Sequence, residues 1–237
     1  MLSIVVQTSK MNIHRRFSMK KDNSNIKVIL FDLDGTLLDS RDFLVQTSFD
    51  ILQKNYPNQF PYEHIEADFG NGFARLLPNK QSEIGKQSLR EFHATKLKKY
   101  HETSYFPGVT DGLRHLNNQG LQLGIVTNQN KQIAMQSLKY HNIKSLFAIT
   151  IGNQDVSEGK PSPEGINQAI AALQCEKENV LMVGDSRFDM IAGERAGVKT
   201  GFLKWYENLN VPKESPPTYV FENFDTLLET IIGKTIA

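Results

Sequence analysis

The stretch KVILFDLDGTLLDS, Lys27 to Ser40, decides how the chain is read. Val28 to Phe31 form an unbroken apolar run that ends in Asp32 and Asp34, separated by Leu33 and followed by Gly35 and Thr36. A run of this kind suits a strand covered on both faces. Carboxylates at its end are expensive to remove from water unless a cation, a proton or hydrogen bonds compensate. Asp32 and Asp34 therefore need a partner elsewhere in the chain.

Outward from this stretch the same unit recurs: a short apolar run, a turn, then a segment of helical period. The runs are IKVILFD, LQLGIVTN, LFAITIG, NVLMVGD and KTGFLKW, with TYVFEN as an edge strand. Buried parallel strands joined by crossover helices follow, giving an α/β Rossmann-like doubly wound sheet. In PSPEGINQAIAALQ, Ser162 is expected to cap a helix and Pro163 to take its first position. Ile166, Ala169, Ile170 and Leu173 then share its apolar face.

One interval breaks the alternation. Between Ser40 and Phe106 no run resembles a buried strand, and three segments read as amphipathic helices: RDFLVQTSFDILQKNY, YEHIEADFG and SEIGKQSLREFHATKLKKYHE. The expected organisation is a mobile tail over 1–25, a core formed by 26–40 and 106–237, and an inserted all-α cap over 41–105. The basic set KLKKYH at 96–101 and five of the histidines, at 64, 93, 101, 115 and 141, are expected on solvated helix surfaces.

Composition narrows the function classes. The 27 basic and 26 acidic residues leave a net charge of +1, which gives no footprint for nucleic acid or an anionic membrane. Cys175 is the only cysteine, so no internal disulfide forms and a reducing, cytoplasmic setting is expected. The longest apolar run near the start, Ile4 to Val6, falls far short of a signal-peptide core or a membrane span.

In an open parallel sheet the ligand crevice lies beyond the carboxyl ends of the strands. The residues that end the apolar runs are Asp32, then Thr127 and Asn128, then Asp185. Lys160 lies in the SEGKPSP loop beyond the third run. Taken singly these read as a turn, a helix cap and a solvated lysine. Taken together they place polar clusters on one sheet edge. Two bare carboxylates about 5 Å apart at an effective dielectric near 20 repel by roughly 3 kcal/mol, and one lysine cannot offset several such pairs. A hard divalent cation can, and Mg²⁺ suits an all-oxygen site that also receives phosphate oxygens.

Those residue types support phosphoryl transfer. Asp32 can attack phosphorus, and Asp34 can act as general acid and then as base. Thr127, backbone donors at Gly35 and Asn128, and the Lys160 ammonium can hold the oxygens that carry charge.

FDLDGTLLDS, IVTN, GKPSPE and VGDSRFDMIAGERAGV, in that order, resemble the four motifs of the haloacid dehalogenase superfamily, and PTYVFENFDTLLETI resembles the closing strand and helix of its phosphoglycolate phosphatase-like members. The resemblance implies a Rossmann-like core with a helical cap after the first motif. It implies Asp32 as nucleophile and Mg²⁺ ligand, and Asp34 as acid/base whose backbone carbonyl also reaches the metal. Thr127 would bind phosphate, Lys160 would stabilise the nucleophile and the transferred group, and Asp185 would bind Mg²⁺. Asp189 would orient a metal-bound water or Lys160. Dehalogenases of the superfamily lack the residue at Asp34 and need no Mg²⁺, which argues for a phosphatase. Phe188, where a small polar residue is usual, and Gly193, where Ala is frequent, depart from the pattern. FGNGFARLL, Phe69 to Leu77, resembles a substrate loop and places Gly70, Asn71, Gly72 and Arg75 as cap residues facing substrate.

The resulting expectation is a Mg²⁺-dependent phosphomonoesterase, monomer or weak homodimer, acting on a small-molecule phosphate ester such as 2-phosphoglycolate. A β-phosphoglucomutase-like mutase or another sugar-phosphate phosphatase shares the core. A phosphorylatable receiver-type signalling domain shares the clustered aspartates but needs only about half the length and lacks a residue in the role of Asp34.

Overall fold

A computed structural model describes residues 25–67, 72–206 and 210–233. The expected leader, except for Asn25, lies outside the described residues, as do Gly70 and Asn71 of the expected cap loop.

Among the described residues six parallel strands form one sheet: β1 (Val28–Phe31), β2 (Gln122–Val126), β3 (Phe147–Ile151), β4 (Val180–Gly184), β5 (Lys199–Leu203) and β6 (Tyr219–Phe221). Their order is β3-β2-β1-β4-β5-β6, so β1 sits between β2 and β4 and the winding reverses beside it. That reversal opens a crevice at the carboxyl end of β1, where Asp32 lies.

Because side chains alternate along a strand, β1 feeds two cores. Ile29 and Phe31 pack with α5 (Val109–Asn118), α6 (Lys131–Tyr140) and α9 (Phe224–Ile232) through Leu113, Leu138, Phe224 and Leu227. Val28 and Leu30 pack on the opposite face with α7 (Glu164–Leu173) and α8 (Arg187–Ala196) through Ile166, Ala169 and Ala192. All four β1 residues are fully or almost fully buried, which explains why the run contains no polar residue.

One local expectation is revised and one departure from the motif pattern is explained. α7 starts one residue later than its capping pattern predicts: Pro163 is the N-cap at φ −77°, and Ser162 Oγ accepts from the Glu164 N–H at 3.3 Å. Gly193 is explained by packing, since a Cβ there would lie 2.4 Å from Thr200 Cγ2 on neighbouring β5.

Between β1 and α5 a helical unit is inserted: α1 (Arg41–Asn55), α2 (Tyr62–Ala67), α3 (Phe73–Leu76) and α4 (Glu83–Lys99). It has its own apolar cluster, including Val45, Leu52, Ile65, Phe73 and Phe92, and the Phe73 and Phe92 rings stack at 4.4 Å. α3 falls within the segment read from sequence as a loop. The chain enters and leaves the unit along two paired crossings. Leu38 and Tyr105 form an antiparallel bridge, flanked by Asp39 N–H to Ser104 O at 2.9 Å and Phe106 N–H to Leu37 O at 3.0 Å. Trp205, beyond β5, stacks on Phe106 at 4.4 Å and donates Nε1–H to Thr36 O at 2.8 Å.

Candidate active site

The end of β1 is anchored by the Asp32 N–H, which donates to Val183 O on β4 at 2.9 Å. Its carboxylate projects into the crevice beside Lys160, whose Nζ lies 2.8 Å from Asp32 Oδ1 and 2.5 Å from Asp189 Oδ1. Asn128 fixes the lysine backbone at two points: its Nδ2 donates to Lys160 O at 2.9 Å and its Oδ1 accepts from Lys160 N–H at 2.8 Å. Asp189, buried at the start of α8, is fully engaged, because Oδ2 accepts from the N–H and Oγ of Ser186 at 3.1 and 2.6 Å. Its other oxygen, Oδ1, is the one that meets Lys160.

Asp185 follows β4 and accepts from Thr36 Oγ at 2.7 Å through Oδ1. Gly35, at φ +74°, lets the backbone come close to it, since a Cβ there would lie 2.4 Å from Asp185 Oδ2. Its N–H, expected to face phosphate, instead donates to Leu38 O at 2.9 Å as part of the turn after β1. The Thr127 hydroxyl accepts from the Gln129 N–H at 3.1 Å, which leaves its own proton available to a ligand.

Asp32, Asp185 and Asp189 each bring an oxygen within 4.8 Å of the others. Burial pushes the Asp32 carboxyl up to about 6 even though Lys160 pulls it down. Burial, then Asp189 and Asp32, hold Asp185 well above the ordinary carboxylate range. Burial opposes the Lys160 ammonium, but its two carboxylate neighbours outweigh that and keep it charged. The three carboxylates exceed what one ammonium offsets. Donors that are all oxygens, held beside a glycine that leaves Asp185 Oδ2 uncovered, fit a hard divalent cation.

Asp34 is held differently. Its Oδ1 accepts from the Tyr100 hydroxyl and its Oδ2 from Gln129 Nε2 at 3.0 Å. Tyr100 is completely buried where α4 turns back toward the core, and burial together with Asp34 raises its pKa well above that of a free phenol. Neither Tyr100 nor Gln129 was singled out by sequence reasoning. The signal available was periodic, because Phe92, Lys96 and Tyr100 recur at intervals of four along one face running off α4.

That face corrects a further expectation. Lys98 and Lys99 are exposed, but Lys96 is buried, with its ammonium 5.3 and 5.1 Å from the ring centres of Phe92 and Tyr100. It lines a cavity of about 190 Å³ together with Asp32, Asp34, Thr127, Asn128, Lys160 and Asp185. Leu44, Val45, Phe73, Leu76 and Phe92 close that cavity from the helical side. Gly72 lines it too, whereas Arg75 is exposed and is not among the lining residues. Arg75 sits on the outer side of α3, so the cation that the helical unit turns inward is Lys96. Phe188 faces the same cavity, with the Arg187 guanidinium 5.0 Å above its ring.

The chain is 34% identical over 221 residues to a pyrophosphatase PpaX of Anoxybacillus flavithermus, covering 89% of this chain and 99% of that protein. A second pyrophosphatase PpaX, from Oceanobacillus iheyensis, is 31% identical over 215 residues, covering 90% of this chain and all of that one. Among solved structures, one described as a predicted phosphoglycolate phosphatase from Haemophilus somnus superposes with a TM-score of 0.75 at 26% identity, covering 87% of this chain and 98% of that one. The haloacid dehalogenase-like hydrolase family matches residues 29–203, a span that holds Asp32, Thr127, Lys160 and Asp185 together, and the chain belongs to that family.

Proposed function

We propose that this hydrolase is a Mg²⁺-dependent phosphatase that releases inorganic phosphate from a small anionic phosphate compound, with pyrophosphate as substrate. The observation that carries the reading is the placement of two aspartates in different roles on one cavity wall. Asp32 is paired with Lys160, and Asp34, two residues on, is held by Tyr100 and Gln129. The full-length likeness to proteins named pyrophosphatases supports the choice of substrate. The solved relative described as a phosphoglycolate phosphatase supports 2-phosphoglycolate as the second reading.

Asp32 and Asp185 would hold the metal, with the backbone carbonyl of Asp34. Bound there, Mg²⁺ would neutralise charge on the phosphoryl oxygens and let Asp32 stay ionised in a buried site. An Asp32 carboxylate oxygen attacks phosphorus, the bond from phosphorus to the leaving oxygen breaks, and Asp34 delivers a proton to that oxygen. Asp34, now a carboxylate accepting from Tyr100 and Gln129, takes a proton from water as the water attacks the same phosphorus. The bond from phosphorus to the Asp32 oxygen then breaks, and phosphate leaves. Lys160 and the Thr127 hydroxyl hold the transferred group throughout. The helical unit acts as a cap that keeps bulk water out of this sequence.

Phosphate release from a panel of pyrophosphate, 2-phosphoglycolate and sugar phosphates tests the reading, with Asp32→Asn as the control. Asp32→Asn should retain no more than a trace of activity, and EDTA should abolish that of the unaltered enzyme. Asp32→Asn turning over near the normal rate would refute the role of Asp32. An isomerised sugar phosphate without free phosphate would identify a mutase instead.

A further inference from the structure

Lys96 has no use in the chemistry just described, yet its placement is costly. Burial lowers the affinity of an ammonium for its proton unless an anion compensates, and burial depresses this one, with Asp34 opposing the shift only in part. No carboxylate among the described residues forms an ion pair with it, and its neighbours within reach are the faces of Phe92 and Tyr100. Asp34 acts on it only through space: its oxygens accept from Tyr100 and Gln129, and no ion pair with Lys96 forms. Ring faces attract a cation more weakly than a carboxylate does.

Among the described residues two cations line the cavity, and they differ. Lys160 is matched by Asp32 and Asp189, so its charge is satisfied before any ligand arrives. Lys96, on the helical side, faces the same cavity unmatched. A cavity of about 190 Å³ is below the ~300–1,000 Å³ of sites for drug-sized ligands, so whatever meets Lys96 must be small.

We propose that Lys96 is a specificity-determining residue that receives a second anionic group, carried by the leaving part of the substrate. It thereby selects phosphoryl compounds whose far end is a phosphate or carboxylate over those whose far end is uncharged. This deepens the proposed function and rests on it. The anion takes the place that a carboxylate of the protein would otherwise fill, and the apolar wall around Lys96 strengthens the attraction by keeping water away. Because Tyr100 lies between Lys96 and Asp34, an anion at Lys96 sets the leaving oxygen on the Asp34 side of the cavity.

The test compares kcat/KM for pyrophosphate and 2-phosphoglycolate with that for acetyl phosphate, whose acetyl end carries no charge. In Lys96→Met the ratio of pyrophosphate to acetyl phosphate should fall by about 30-fold or more, the scale for removing one partner of a buried charge pair. In Lys96→Arg, which keeps the charge, it should fall by much less. Because Lys96→Met removes a buried side chain, the unaltered Mg²⁺-loaded enzyme supplies an independent measurement. Phosphonoacetate, with two anionic ends, should inhibit it more strongly than ethylphosphonate, with one. An unchanged ratio in folded Lys96→Met, or equal inhibition by the two phosphonates, overturns this inference alone. Failure of the unaltered enzyme to release phosphate from any of the three substrates overturns the proposed function, and this inference with it.

Discussion

Replacing Gly35 by alanine tests whether the turn after β1 is shaped by Asp185. Two costs are readable. The residue sits at φ +74°, where an L side chain costs about 1–2 kcal/mol. Its new Cβ would also lie 2.4 Å from Asp185 Oδ2 and 2.9 Å from Cγ, so the carboxylate must move, loosening the bond it accepts from Thr36 at 2.7 Å. Where a bound cation keeps Asp185 ionised, a hydrogen bond to this charged group contributes roughly 1.5–3 kcal/mol. The expected loss of stability is therefore roughly 2.5–5 kcal/mol, together with a clear rise in the Mg²⁺ concentration needed for half-maximal phosphate release. Gly120→Ala is the internal control, because Gly120 is at φ +85° and a Cβ there would meet nothing within 4 Å, so it should show the backbone cost only. Urea unfolding of both variants and Mg²⁺ titration of phosphate release would decide the matter. If Gly35→Ala loses no more stability than Gly120→Ala and needs no more Mg²⁺, the close approach to Asp185 has been misjudged.

Tyr100→Phe should lower kcat by about tenfold with KM within about threefold, since it deletes one donor to Asp34 and keeps the ring over which Lys96 lies; a KM effect alone would contradict the positioning role. The raised carboxyls give a pH signature. Asp32 in the folded state is held at about 6 against 3.8, and Asp185 is raised too, so the metal-free folded chain binds protons more tightly than the unfolded one. The stability from these two groups is present below pH ~4 and is lost as pH rises through about 6. In thermal melts Mg²⁺ should then raise Tm more at pH 7.5 than at pH 5, and an equal rise at both would count against burial as the cause of the shifts.

The strands were legible because each is a short apolar run covered on both faces, and β1 shows why: every side chain in it enters a core. Polar residues that end such runs stood out against them, which is how Asp32, Thr127 and Asp185 could be picked from one sequence. Residues of the helical unit offered no such contrast. Lys96 reads like Lys98 and Lys99 in the sequence, and only the rotation of α4 against the core decides which of the three turns inward. Tyr100 was hidden for the same reason, since its hydroxyl partner Asp34 is 66 residues away and no local pattern links them. At Gly35 the residue type was readable as a turn, but the use of its N–H within the turn and its closeness to Asp185 depend on β1 and β4 lying side by side.

The paired crossings at Leu38 and Tyr105 carry an evolutionary consequence. Because they are hydrogen-bonded to each other, the two ends of the helical unit leave the sheet as neighbours, and for the sheet the whole unit is a hairpin, long in sequence and short in space. The entropy of closing such a connection grows slowly, by about 0.6 kcal/mol for each doubling of length. Helical units of very different size can therefore be grafted at the same two positions without disturbing the strand ends that carry Asp32 and Asp185. With Lys96 choosing the substrate as proposed, substrate choice would be exchanged at the graft while the bond-breaking residues stay in the sheet.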